Sequence, residues 1–372
     1  MKKVLFVLNG LRLGGITRVN IAIANELSKE YNVMIYNTGK RKKTHFKVKV
    51  PVHHEQYLFG NLSYFLPRAI KKMSQYTRIP INPKMLEFQR IKKLCRYIEN
   101  EKIDVIILNA YQITYTTAIK KRFPSIIVIG WLHNNAEMYL NKFFRSFKKH
   151  FIVAINAADF LVCLTNSDQL SFESYTNNAI CIFNPLTVST KKNSNLDSKI
   201  ISFVGRIDIA QKGIDYLCEI AQNIPDGWKI SVAGPGKKRD RKIFARLQLQ
   251  YETEGRLEYV GSLKGKKLSS HYLNSSIFVM TSRWEGMPLV LIEAMNFGLP
   301  IVAFEQSGAN EVLDFGKSGI LIKQGSIPDF NRELSTLIDN DDLRAYYSRA
   351  SLARVERFKM KEIIKEWKQM IE

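Results

Sequence analysis

Short runs of Val, Ile, Leu and Phe recur along this chain, each followed by a stretch with helical spacing, and the whole series occurs twice. KVLFVLN ends at a glycine loop, and Ile21, Ala24 and Leu27 then share one face of a helical stretch over 20–29. Further runs follow at 32–38, 104–110, 126–132, 159–165 and 179–185. Runs this uniformly apolar fit strands covered on both faces, as in a parallel sheet flanked by helices. A polar stretch, TVSTKKNSNLDSK (187–199), interrupts the series and reads as a linker. The alternation restarts at 200–206 and continues at 228–234, 257–261, 276–282, 300–304 and 319–323, with helical stretches at 213–224 and 289–297. Two successive β-α-β series predict an α/β chain of two doubly wound, Rossmann-like domains, and 372 residues suffice for two cores. The expected boundaries are 1–187 and 198–354, with an amphipathic C-terminal segment over 355–372.

Charge is distributed unevenly. Residues 1–195 hold 30 Lys and Arg against 11 Asp and Glu, whereas residues 196–372 hold 26 against 23. A net of +19 in the first half predicts an anionic partner there: nucleic acid, an anionic bilayer or a phosphate-bearing acceptor. The alternative is plain solubility. Between residues 57 and 97, aromatic and aliphatic residues interleave with Arg68, Lys71, Lys72, Arg90, Lys92, Lys93 and Arg96, and NKFFRSFKKHF (141–151) has the same character. Such a surface can lie on an anionic membrane, or be an ordinary helix with a lysine-rich face.

The opening MKKVLFVLN suggests a signal peptide, but Asn9 and Arg12 break its apolar run and no small-residue cleavage site follows. No stretch approaches the ~18 apolar residues that span a bilayer. Cys95, Cys163, Cys181 and Cys218 are scattered, with no C-x-x-C pair, which fits a reducing compartment. The expected location is the cytoplasm, peripheral on the inner face of the cell membrane.

Three stretches carry chemistry. In SRWEGMPLVLIEAMNFGLP (282–300), Gly286 and Pro288 occupy a strand-to-helix loop, with Pro288 suited to the first helical turn, and Gly298 and Pro300 close the helix. The helix start offers free N–H groups and a positive dipole end to a diphosphate. Glu285 precedes it, and Glu293 sits within it among apolar residues, where it needs a partner: ligand hydroxyls, a nearby cation, or solvent at a helix edge. In FVGRIDIAQKGIDYL (203–217), Arg206 follows a strand end and Lys212-Gly213 precedes a helix, a plausible phosphate clamp. In LNGLRLGGITRVNIAIA (8–24), Gly14-Gly15 lets the backbone approach a ligand, though it is not the G-x-G-x-x-G of dinucleotide binders.

Together these stretches resemble glycosyltransferase family 4, retaining enzymes of the GT-B fold. The family's two glutamates with seven residues between them match Glu285 and Glu293; its first glycine loop resembles Gly14-Gly15 with Arg18. Its Gly-Arg and Lys-Gly resemble Gly205-Arg206 and Lys212-Gly213, and its later segments resemble Gly308–Glu311 and Gly316–Gly319. The resemblance implies that Glu285 touches the donor hexose. The backbone over Gly286, Met287, Pro288, Leu289 and Val290 would bind sugar and diphosphate, and Glu293 would hold the ribose diol. Arg206 and Lys212 would neutralise the departing diphosphate, and His133, in WLHNN, would lie near the donor sugar. His133 also has a bland reading, a core histidine bonded to a carbonyl. The implied catalytic set is Glu285, His133, Arg206 and Lys212, and a GT-B chain would send its C-terminal helix back to the first domain.

His53-His54-Glu55 lacks metal-ligand spacing, and Asp339-Asn-Asp341 reads as a turn or N-cap. No metal or cofactor is expected. The expected partners are a nucleotide-sugar donor, a UDP-hexose by the family's habit, and a glycan or lipid-linked acceptor of bacterial surface polysaccharide synthesis at an anionic membrane, without nucleic acid. A basic nucleic-acid-binding protein would leave Glu285 and Glu293 unexplained, and an epimerase acting on a soluble substrate would not need the basic aromatic segment.

Overall fold

The computed structural model describes residues 1–11, 14–40, 42, 44, 46–55, 83–188 and 190–372. The chain divides into two units, one of Met1–Pro185 with Met360–Glu372, the other of Leu186–Lys359.

In the first unit the aliphatic runs become β1 (Lys3–Leu8), β2 (Asn32–Asn37), β4 (Val105–Asn109), β5 (Ile127–Trp131), β6 (Phe160–Cys163) and β7 (Ala179–Cys181). Every pairing in this sheet is parallel, in the order β3-β2-β1-β4-β5-β6-β7. The short edge strand β3 (Val52–His54) escapes a search for apolar runs, because its side chains are two histidines and one valine. Val4–Val7 and Val105–Leu108 have no exposed surface, as strands covered on both faces require. The helix Gly15–Leu27 buries Ile21, Ala24 and Leu27. The helix Met360–Ile371 also belongs to this unit and packs the Trp367 ring 4.6 Å from that of Trp131.

The second unit repeats the plan with β8 (Ile200–Val204), β9 (Lys229–Ala233), β10 (Leu257–Gly261), β11 (Ile277–Met280), β12 (Ile301–Phe304) and β13 (Ile320–Ile322). They pair in parallel in the order β10-β9-β8-β11-β12-β13. In each sheet the strand order reverses direction at one point, between β1 and β4 and between β8 and β11. Open α/β sheets bind ligands outside the carboxyl ends of the strands at that reversal.

Two expectations need correction. Arg90 is not a surface cation: it lies 2.9 Å from Glu87 and 4.0 Å from Glu55, and both carboxylates are buried. In 141–151, Phe144, Phe147 and Phe151 pack in the first core, and only Phe143 is substantially exposed, because successive 3-10 and α turns put those three rings on one face. The part of the 57–97 segment up to residue 82 lies outside the described residues. Asn340 caps the helix Asp341–Arg354 by accepting from the Leu343 N–H at 2.9 Å. The four cysteines form no disulfide. Among the described residues no helix is long and apolar enough to cross a membrane, and no three His, Cys, Asp or Glu side chains gather as a metal site.

Candidate active site

Beyond β8 and β11 the chain forms two loops that are stitched together. Asp208 caps the short helix Ile209–Lys212, and Gly213 ends it at φ 62°, a left-handed conformation. A Cβ at Gly213 would lie 2.1 Å from the Thr281 carbonyl oxygen, so only glycine allows this approach. The Thr281 hydroxyl donates to the Lys212 carbonyl at 2.9 Å, and the Arg283 N–H donates to the Gln211 carbonyl at 2.7 Å. The Arg283 guanidinium pairs with both oxygens of Asp215 at 2.9 and 2.6 Å and stacks 3.9 Å from the centre of the Tyr216 ring. A two-pronged ion pair with a stacked ring fixes orientation as well as distance.

On this frame the charged residues meet. Lys212 Nζ lies 2.5 Å from Glu285 Oε1, with both side chains about one-eighth exposed. The Gln211 amide donates to the Trp284 carbonyl at 3.2 Å and to Glu285 Oε2 at 3.5 Å, while its oxygen accepts from Arg206 at 2.5 Å. Arg206 also lies 3.3 Å from Asp208 and keeps 56% of its side-chain surface. The Glu285 N–H donates to Gln306 Oε1 at 3.0 Å. Behind this loop, Gly308 sits so close to Gly286 that a Cβ there would fall 2.4 Å from the Gly286 carbonyl oxygen.

The helix following is Leu289–Asn296, and Pro288 stands just before it as the N-cap, one position short of the expected first turn. No side chain caps this helix start, which leaves backbone donors for a ligand. Glu293 is 3% exposed, and the Tyr272 hydroxyl donates to its Oε2 at 2.9 Å. A tyrosine, which the sequence did not suggest, thus bonds one of the two carboxylate oxygens.

In the first unit, His133 follows β5. Its Nε2 lies 2.5 Å from Asn109 Oδ1, and the Asn109 amide donates in turn to the Val7 carbonyl at 3.1 Å. The Asn20 amide nitrogen lies 3.4 Å from the same Nε2, but the much closer Asn109 oxygen favours the proton there, which leaves Nδ1 as an acceptor. The His133 N–H donates to the Tyr139 hydroxyl at 3.0 Å. Burial pushes the imidazole down to about 3, although an edge of the residue still reaches solvent, so the ring is neutral at physiological pH. Gly14 and Gly15 open the first helix, and a Cβ at Gly14 would meet nothing within 4 Å. Arg206, Lys212, Glu285 and Glu293 therefore belong to the second unit, and Gly14, Gly15 and His133 to the first.

The sequence did not mark Gln211, Gln306 or Asn109, because a neutral amide has no signature outside a motif. Gln211 did carry one signal, its position between two proposed phosphate cations.

Two doubly wound parallel sheets, each with a strand reversal, are the elements of a GT-B fold. A family model described as glycosyl transferases group 1 matches residues 187–354. An uncharacterized glycosyltransferase of Haemophilus influenzae is 30% identical over 99% of each chain. A Campylobacter jejuni enzyme, an alpha-1,4-N-acetyl-D-galactosaminyltransferase acting on an undecaprenol-diphosphate-linked glycan, is 25% identical over 100% of this chain and 98% of its own. The solved structure of Anabaena HepE in complex with UDP and glucose superposes with a TM-score of 0.75 at 17% identity, covering 100% of this chain and 99% of the other. This chain belongs to the group 1 glycosyl transferases, and it is an enzyme of that class.

Proposed function

We propose that the enzyme moves a hexose from a UDP-sugar to a membrane-borne, lipid-linked glycan acceptor in surface polysaccharide synthesis, with retention at the anomeric carbon and without a metal. The observation that carries this reading is the Arg206–Gln211–Glu285–Lys212 network at the reversal between β8 and β11. The second unit takes the donor and the first the acceptor.

Glu285 and the backbone over Gly286–Val290 receive sugar and diphosphate, and Glu293 the ribose. The transition state separates a nucleoside diphosphate from an electron-poor sugar, and negative charge grows on the leaving oxygens. Arg206 is exposed enough to reach those oxygens, and Lys212 stands beside them, held by Glu285. The acceptor hydroxyl attacks from the face the diphosphate leaves, so positioning replaces a protein nucleophile. His133 contributes Nδ1 as a hydrogen-bond acceptor for a sugar hydroxyl, and Gly14 and Gly15 let a ligand approach the backbone of the chain's first loop. The Campylobacter relative supports the acceptor class, and the UDP and glucose bound to HepE support the donor class. A membrane-borne acceptor also accounts for the +19 of residues 1–195 and puts the enzyme on the inner face of the cell membrane.

The test is donor hydrolysis in EDTA with UDP-glucose, UDP-galactose, UDP-N-acetylglucosamine and GDP-mannose. Release of nucleoside diphosphate from one UDP-sugar, lost in Arg206→Ala, supports the reading. Release only from GDP-mannose replaces the donor class, and conversion of UDP-glucose to another UDP-hexose without release makes the enzyme an epimerase.

A further inference from the structure

The second half of the sequence is nearly neutral as a whole, with 26 basic against 23 acidic residues, yet one helix in it is not. Residues 237–246 carry Lys237, Lys238, Arg239, Arg241, Lys242 and Arg246 against the single Asp240, and all six cations are exposed. They lie on or at the start of the helix Lys238–Gln250, which follows β9. Several other cations of this unit have carboxylate partners: Arg256 with Asp226, Lys229 with Glu258, Arg283 with Asp215, Arg332 with Asp329. None of the six has one among the described residues.

By itself this arrangement works against the helix. Lys238, Lys242 and Arg246 are spaced four apart, so like charges stand one above another, as do Lys237 and Arg241. Three cations occupy the start of the helix, where the dipole favours anions. What holds the helix is its other side, with Phe244 buried and Ile243 and Leu247 half-buried. A run of uncompensated like charges at a place that local physics disfavours points to a use.

We infer that this basic face is a membrane contact of the second unit, fitted to the anionic headgroups of a bilayer. The shape favours a surface over a single small anion: the helix is about 20 Å long, and its cations run from its start to Arg246, where Lys238, Arg239, Lys242 and Arg246 line a shallow groove beside the half-buried edge at Ile243. Each Lys or Arg held near an anionic leaflet adds to the attraction, and the attraction fades within a Debye length. The contact is additional to the basic first half. It rests on the membrane-borne acceptor only for its purpose, since binding to a bilayer is measured without any donor or acceptor.

The test uses the full chain and vesicles of phosphatidylcholine alone or three parts phosphatidylcholine to one of phosphatidylglycerol, at low salt. Three forms are compared: wild type, the triple variant K238E/K242E/R246E, and a charge-matched control, K317E/K323E/R349E, on exposed cations elsewhere in the unit. The expected result is wild-type binding to the acidic vesicles only, a loss of about tenfold or more in the helix variant, and a much smaller loss in the control. A neutralised triple, K238Q/K242Q/R246Q, should fall between wild type and the reversed variant. Donor hydrolysis without vesicles should be the same in all four, which also reports that each folds. Equal losses in the two charge-reversed triples, an unchanged helix variant, or a wild type that ignores acidic vesicles would overturn the inference. So would a helix variant that loses affinity for a soluble polyphosphate while keeping its vesicle binding. If no donor is hydrolysed by any form while the vesicle pattern holds, the proposed reaction fails and this inference stands.

Discussion

Lys212 and Glu285 form an ion pair of 2.5 Å between the loop after β8 and the loop after β11, each side chain mostly shielded from water. Breaking such a pair from either side leaves a charge without its counterpart, which costs more than the pair itself contributes. Glu285→Ala and Lys212→Ala should each reduce donor turnover by about 100-fold or more. The double variant should be little worse than either single one, because the two act as a unit. Steady-state kinetics of donor hydrolysis on the four proteins of this cycle would measure it; additive losses would show two independent roles.

Gln211 stands between a cation and a carboxylate, with its oxygen on Arg206 and its amide toward Glu285. Without that spacer, Arg206 is free to fold onto Glu285 and lose the charge it offers to a phosphate. Gln211→Leu should lower kcat/KM for the donor by about tenfold, and should have no further effect in an Arg206→Ala background. A full additional loss in that background would give Gln211 a purely structural role.

His133 and His271 are both held neutral by burial, at about 3 and about 4 against an ordinary 6.5. The unfolded chain takes up these two protons as pH falls below 6.5, and the folded chain does not. Folding stability is therefore fully present above about 6.5 and lost as pH falls toward 4. The slope approaches about 1.4 kcal/mol per pH unit for each histidine. Urea midpoints at pH 7, 6 and 5 would show it, and His271→Gln should flatten the curve. Glu55, raised to about 7 by burial, acts with the opposite sign: its contribution is lost as pH rises through neutrality. Asn109 fixes the His133 tautomer, so Asn109→Leu should raise the acceptor KM without moving any acid limb of the rate profile.

Trp367 is fully buried, edge-on to Trp131. Trp367→Ala should cost about 3–5 kcal/mol of stability, read as a fall in the denaturation midpoint with the slope unchanged. A variant as stable as the wild type would mean that the last helix contributes nothing to the core.

Strand positions were legible because burial on both faces demands unbroken aliphatic runs: IISFV and KISVA could hardly be anything else. The strand Val52–His54 was not, since an edge strand may be polar and here carries two histidines. The charged residues of the second unit were legible through motif spacing, and the chain does gather Arg206, Lys212 and Glu285. Their partners were not. Gln211, Gln306 and Tyr272 act by where backbone geometry points them, and amide or phenol groups leave no mark in composition. The aromatic segment 141–151 misled for a related reason: interleaved Phe and Lys look amphipathic in one dimension, but three of the rings turn inward.

The helix Met360–Ile371 belongs to the first unit although the chain reaches it only after completing the second. The Lys2 ammonium donates to the Ile371 carbonyl at 2.6 Å, so the first strand and this helix adjoin. On a ribosome, the first unit emerges early and must wait, with the Trp131 face uncovered, until Met360–Ile371 emerges. The second unit, contiguous in sequence, can finish before it. A chain cut at residue 185 would therefore yield one fragment ready to fold and one missing its own closing piece, while a variant carrying 360–372 ahead of β1 would remove the wait.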